Sequence, residues 1–435
     1  MRIINIIPSS GGSFYCQNCL RDSMLVIALR ALGHDAVAVP MYLPLKDDEN
    51  KPFGDTPVFY GAVNAYLKQE VPLLRNAPRW VDRMLDAPGL LNFAAKRAGS
   101  TRASGLEDMT LSMLRGEDGN QARQLDDLVA WLHHEGKPDV VHLSNALLLG
   151  LVHRIKDELD VPVVCSLQDE DVWLDAMEPD QAAPIWELMS DRATEIDMFV
   201  PVSRYYGECM RKRLRTPQTR MRVVHIGIDL DGYTQSTLPF DPPVLGYLSR
   251  MSESLGLDIL VDAFIKLRER GTFPGLRLHA TGGMTGDDVQ FVNGLRQTLA
   301  QHGLGDAAEF APDFTRGERL AFLGGLTVMA VPVPGGEAFG TFQLEALAAG
   351  VPIVQPNAGA FPEIVEATGG GVCYAPNDPN TLADTLESLL GAPDRVKALG
   401  QHGRDVVERR FSAERMAKDM VAVYGEVLPD AGGHQ

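Results

Sequence analysis

Twice along this chain, short β-rich runs alternate with amphipathic helical stretches, and that pattern belongs to parallel α/β folds. The first series predicts strands at Ile3–Ile7, Ala36–Val39, Val140–Leu143, Val161–Ser166 and Met198–Pro201, with helices such as Leu20–Leu32 and Ala146–Leu159 between them. The second predicts strands at Val244–Leu248, Leu276–Ala280, Ala308–Phe310, Thr327–Val331, Pro352–Gln355 and Gly371–Tyr374. Asp229 to Pro243, rich in Asp, Gly, Thr, Ser and Pro, reads as a linker. The expected organisation is two Rossmann-like domains facing a cleft: residues 1–230, a linker at 231–243, and 244–412. An amphipathic helix within 413–435 would return across the hinge to the first domain. Residues 43–121 fit no βα unit and read as a mainly helical insertion.

Composition narrows the partners. Of the 435 residues, 40 are Lys or Arg and 58 are Asp or Glu, a net charge of −18. Nucleic-acid binding rests on neutralising phosphates, so this balance argues against DNA or RNA. The longest uncharged stretch, Leu320 to Gly336, is 17 residues with two Pro and four Gly, which excludes a good membrane helix. Met1–Pro8 lacks an apolar run of signal-peptide length. Five Cys and no Asn-x-Ser/Thr sequon fit a reducing cytoplasm.

The most informative stretch runs from Glu337 to Val354, EAFGTFQLEALAAGVPIV. A turn should lead into a helix near Thr341 that Gly350 stops, with the next strand opening at Pro352. Backbone N–H groups of Gly340, Thr341 and Phe342 would then face an anion at the carboxyl edge of a sheet. Glu337 precedes the helix and Glu345 lies one turn inside it, so both carboxylates could reach one crevice.

This stretch resembles the Glu-x7-Glu motif of retaining glycosyltransferases of the GT-B fold, family 4. The resemblance continues through Pro356–Val365 and Thr368–Val372. In the first half it is looser, resting on a Gly-Gly loop after the first strand and on Pro138–Leu143. It implies transfer of a sugar from a nucleotide diphosphate donor with anomeric retention and no obligatory metal. The donor would sit on the second domain, and a glycan, lipid or small-molecule acceptor would face the first. Glu345 would bind the ribose hydroxyls, Glu337 the transferred sugar, and the amides from Phe339 to Phe342 the sugar and diphosphate. Gly11 and Gly12 would approach the donor phosphate, and Arg250, between a strand and a helix, would grip the pyrophosphate.

Two departures qualify the resemblance. Where the family pattern Arg-x4-Lys-Gly has Lys, this chain has Leu255, removing a cation whose stabilisation of a leaving group is worth about 3 kcal/mol. Where many members end a first-domain strand with His, Gln168 stands; it can orient a hydroxyl but cannot act as a base. Asp169 is the candidate to take over acid–base work, while Glu170 and Asp171 read as a solvated loop. The alternative is a non-catalytic nucleotide- or glycan-binding relative.

Three features lie outside the motif. Cys16-x2-Cys19 fits half a zinc site, a redox pair or two thiols packed under the Gly-Gly loop; the last is preferred, leaving them weak metal candidates. His142 should lie at a strand end facing the cleft. Lys68–Arg102 and Ser203–Arg222 carry seven basic residues each, against three acids and one. Both fit a peripheral contact with an anionic membrane or an acidic acceptor, or equally a solvated face.

Overall fold

The computed structural model describes residues 1–9, 15–43, 57–60 and 106–429. Among these, the first sheet holds β1 (Arg2–Ile7), β2 (Asp35–Pro40), β3 (Val140–Leu143), β4 (Val163–Leu167) and β5 (Met198–Pro201), in the order β2-β1-β3-β4-β5. The second holds β6 (Val244–Leu248), β7 (Arg277–Thr281), β8 (Ala308–Phe310), β9 (Val328–Ala330), β10 (Ile353–Pro356) and β11 (Gly371–Tyr374), in the order β11-β10-β9-β6-β7-β8. Every pairing is parallel, with Ile4 opposite Val37 on one side and Val141 on the other. Helices cover both faces of such sheets, which is why the strands read as nearly continuous apolar runs.

Strand order locates the places where a ligand can enter. In the first sheet the winding direction reverses between β1 and β3, and in the second between β6 and β9. Crevices at the carboxyl ends of strands form at such reversals. The segment after β1 leads to Tyr15 and Gln17, that after β6 to Arg250, and that after β9 to Glu337. Topology alone thus brings Arg250 and Glu337, both singled out by sequence, to the same reversal.

The motif helix spans Thr341–Ala348, and all eight of its residues are buried. Gly340 opens it at φ +83°, where a Cβ would lie 2.8 Å from the Gln343 side chain and 2.9 Å from Phe361. Gly350 closes it at φ +69°, where a Cβ would meet Gln235 at 2.0 Å. Both positions require a left-handed residue without a side chain.

The chain crosses between the two halves more than once. Ile228 bridges Ser412, and the Ala413 N–H donates to the Ile228 carbonyl at 2.8 Å. The helix Ala413–Val427 then packs on the first helix, Gln17–Ala31, and the Tyr424 hydroxyl lies 2.9 Å from His142 Nδ1. The C-terminal helix therefore does return to the first half. Among the described residues, no helix is long and apolar enough to cross a membrane.

Some boundaries differ from the sequence reading. The first helix starts at Gln17 rather than Leu20. The segment expected as one helix over Ala146–Leu159 is a 3-10 stretch, Ala146–Leu151, followed by an α-helix, Val152–Leu159. Its start is pinned from outside the helix: Asn145 Oδ1 accepts the Leu147 N–H at 2.7 Å and Glu170 Oε1 the Ala146 N–H at 2.9 Å.

Candidate functional site

Glu345 is a buried acid held by side chains from three separate segments. It is 3 % exposed, and its carboxylate accepts from the Tyr15 hydroxyl, from the Tyr233 hydroxyl at 2.8 Å and from Arg319 Nε at 3.1 Å. Tyr15 comes from the segment after β1, Tyr233 from the linker, and Arg319 from the helix Arg316–Gly324. Tyr15 is anchored a second time, its N–H donating to the Gly282 carbonyl at 2.9 Å. Burial first, and then the Glu345 charge, push both phenols well above the usual tyrosine range, so they stay protonated and donate. The space left beside Glu345 is about 10 Å³, lined by Leu20, Met24, Thr341 and Arg319 among others. That holds about one water. The crevice expected around the two glutamates is here closed by the protein's own side chains.

Glu337 faces the other half of the molecule. Gln17 Nε2 donates to its carboxylate at 2.9 Å, and Gln17 Oε1 accepts the Thr341 N–H at 2.5 Å. Gly340 at the N-cap offers no side-chain oxygen, so Gln17 from the opposite lobe serves as the cap. Beside it, Asp169 Oδ1 accepts the Ala338 N–H at 3.3 Å. Asp169 sits in the left-handed region at φ 60°, which turns its carboxylate back across the junction. Glu337 keeps part of its surface, but its carboxyl is enclosed. Desolvation, then the Asp169 charge, push it up to about 8. Asp169 is raised as well, by burial and then by Asp171. Two carboxyls so placed can hold a proton near neutrality, the property acid–base chemistry requires.

Further contacts stitch the junction. Ser203 Oγ donates to the Ala338 carbonyl at 2.6 Å. Glu363 accepts from the Arg204 and Tyr205 N–H groups at 3.1 and 3.0 Å and pairs with His225 Nε2 at 2.7 Å.

The remaining predicted positions fall as follows. Arg250 follows β6 as expected, yet its guanidinium forms a fork with Asp288 at 2.8 and 2.9 Å and reaches Thr285 Oγ1 at 3.2 Å. Leu255 closes the short turn Glu253–Leu255 and packs against the core. Gln168 is buried, its amide donating to the Ser144 carbonyl at 2.7 Å. Phe339, Gly340 and Phe342 flank the helix start as expected, with Phe339 and Phe342 buried. Gly11, Gly12 and the Lys68–Arg102 patch lie outside the described residues.

Three expectations are corrected. Glu170 is not a solvated loop acid: it is fully buried and accepts from the Ala146 and Gln168 N–H groups, both at 2.9 Å, and from the Tyr206 hydroxyl at 2.7 Å. Burial pushes it up to about 7. His142 does not face the cleft; it is 1 % exposed, held between Asn5, Ser166 and Tyr424, and burial lowers its pKa so that it is neutral. Within the Ser203–Arg222 patch, Arg211 and Lys212 pair with Glu208, Arg213 with Asp175 and Arg222 with Glu426, the arrangement of a solvated face. Cys16 and Cys19 lie with their sulfurs 3.0 Å apart, half-buried rather than packed away. Among the described residues no group of three or more His, Cys, Asp or Glu is arranged to hold a metal ion.

Tyr15, Gln17, Tyr233, Arg319 and Asp288 carry the site without having been picked out by sequence. Only Gln17 had a usable signal, its place beside the first strand's loop.

The raised carboxyls fix the sign of a pH dependence. From the ordinary glutamate value of 4.5 up to about 8 for Glu337 and about 7 for Glu170, the folded chain holds protons that the unfolded chain has lost, so stability falls as pH rises through that window. Thermal denaturation is expected to show a melting temperature that declines from pH 5 to 8. Glu337→Gln should make the decline shallower; an unchanged slope would contradict the assigned protonation.

Two family models match this chain: "Glycosyl transferases group 1" over residues 234–406 and "Glycosyltransferase Family 4" over residues 112–231. Among curated relatives, a D-inositol 3-phosphate glycosyltransferase of Corynebacterium urealyticum is 26% identical over 229 residues, covering 49% of this chain and 54% of its own length. One of Mycolicibacterium smegmatis is 26% identical over 315 residues, covering 68% and 69%. The chain spans about half the length of most of the curated relatives it matches. Among solved structures, a sucrose-phosphate synthase from Thermosynechococcus elongatus superposes with TM-score 0.71 at 18% identity, covering 98% of this chain and 99% of that one. HepE of Anabaena, solved with UDP and glucose, superposes with TM-score 0.67 at 16% identity, covering 98% and 99%. At these identities the superpositions speak for the fold.

Proposed function

Because the chain belongs to the GT-B glycosyltransferases of family 4 type, we propose that it transfers a sugar from a nucleoside diphosphate donor to an acceptor hydroxyl with retention of configuration. The observation that carries this reading is the pair Glu337 and Glu345, set on either side of the start of the helix Thr341–Ala348 at the winding reversal of the second sheet. Glu345 takes the ribose diol, to which an ionised carboxylate offers two acceptors. Glu337 takes the transferred sugar, and the N–H groups at the helix start take the diphosphate once Gln17 swings away. Arg250 reaches the diphosphate by exchanging Asp288 for it. In retaining transfer the departing phosphate can accept the acceptor's proton, so the role left to Asp169 is to hold Ala338 and orient Glu337. Closure of the two halves excludes water that would otherwise hydrolyse the donor.

HepE has been solved with UDP, and with UDP-glucose, which makes uridine the first base to test. Calorimetry against UDP, GDP and ADP and their sugar conjugates is expected to show one base preferred, with binding weakened at least about 100-fold in Glu345→Ala. Absence of binding to all of them would reject the reading. Leu255 in place of Lys and the occupied Glu345 favour one rival, a nucleotide-binding relative without transfer; turnover with a bound donor separates the two. We further propose that no metal is obligatory. Turnover is then expected to be unchanged, within about twofold, after EDTA treatment, since hydrogen bonds rather than an ion stabilise the leaving group. Loss reversed by added magnesium would contradict that.

A further inference from the structure

Cys16 and Cys19 are not used by the proposed transfer, and their geometry is specific. Cys16 is the N-cap of the first helix and Cys19 its third residue, so one turn brings the two side chains to the same side. Their sulfurs stand 3.0 Å apart, about 1 Å beyond the length of a disulfide bond. Both are half-buried, whereas Cys165 is fully enclosed. Attack on a disulfide requires a thiolate, and the first turn of a helix favours negative charge. The pair also brackets Gln17 and Asn18, and follows directly on Tyr15. Those residues make contacts from the first half of the chain to Glu337, Thr341 and Glu345 and, within that half, to Asp169.

We propose that Cys16 and Cys19 form a reversible dithiol–disulfide couple, oxidised by small disulfides of the glutathione class. One thiolate attacks a sulfur of the reagent, forming a mixed disulfide and releasing one reduced thiol. The second cysteine, as its thiolate, attacks the protein sulfur of that mixed disulfide and releases the other reduced thiol. Two electrons and two protons pass from the cysteine pair to the reagent, and excess thiol reverses both steps. The couple sits in the turn that supplies Gln17 to the helix start of the other lobe, and it stands whether or not the sugar-transfer reading does.

The test equilibrates the folded full-length protein with graded ratios of oxidised to reduced glutathione, followed by acid quench, alkylation and peptide mass analysis. The peptide containing Cys16 and Cys19 is expected to lose both alkylation sites together, two hydrogens lighter and carrying no glutathione, and to recover both after dithiothreitol. Cys16→Ser should instead stop at a glutathione adduct on Cys19. Half-oxidation of the folded chain is expected at a ratio at least about tenfold lower than for the urea-unfolded chain, because the fold holds the sulfurs together. Alkylation of both cysteines at every ratio, a lasting glutathione adduct in the unsubstituted chain, or equal half-points for folded and unfolded protein would each overturn the proposal.

Discussion

Glu337→Ala is expected to lower kcat by at least about 100-fold while changing nucleotide affinity less than about threefold, since a carboxyl group at the reacting sugar acts on the transition state rather than on the nucleotide. Its surroundings support the split: Glu337 faces Gln17 and the Asp169 side of the junction, while Glu345 lies a turn deeper among two tyrosines and an arginine. Glu337→Gln preserves volume and gives a second reading of the same role, with turnover still depressed. Steady-state kinetics together with calorimetry decide the matter. A variant with normal kcat and weakened nucleotide binding would refute the assignment.

Glu345→Ala is expected to have the larger structural effect. It removes the shared acceptor of Tyr15, Tyr233 and Arg319 and takes the anionic partner from a guanidinium whose side chain is 4% exposed. Breaking a buried pair by deleting one partner costs about 3–5 kcal/mol. The melting temperature should drop by several degrees, and nucleotide affinity by at least about 100-fold, equivalent to about 2.7 kcal/mol. Glu345→Gln keeps the packing and accepts hydrogen bonds without charge, so its affinity loss is readable in a well-folded protein. If either variant melts lower yet binds nucleotide normally, the ribose role is wrong and the residue is a structural anchor.

Much of this arrangement was legible before the structure. The two series of alternating runs give both parallel sheets, and the Glu337–Val354 stretch marks the helix start within a residue. Contacts spanning the chain were not legible. Glu345 meets Tyr15 across 330 positions and Tyr233 across 112, and Gln17 reaches Glu337 across 320. No local period encodes such pairs, which exist only once the lobes meet. Glu170 shows a subtler failure. Three consecutive acids suggest a solvated loop, but the left-handed turn at Asp169 redirects the second onto two backbone N–H groups and a phenol. His142 failed because a strand inside a parallel sheet is covered on both faces, and its cover arrives from Tyr424, 282 residues downstream. Arg250 was found by its position after β6, while Asp288, which holds it, lies 38 residues further on.

The occupied state of Glu345 bears on selectivity. A molecule entering here competes with three internal groups that already satisfy the carboxylate, so apparent affinity is its intrinsic value reduced by the fraction of molecules in which Tyr15 and Tyr233 have moved aside. A ligand presenting two adjacent hydroxyls replaces the hydrogen bonds it displaces, whereas one with a single hydroxyl leaves the anion under-coordinated. On the proposed ribose role, the tyrosines set a threshold, and deoxy analogues are expected to bind more weakly than the parent nucleotide.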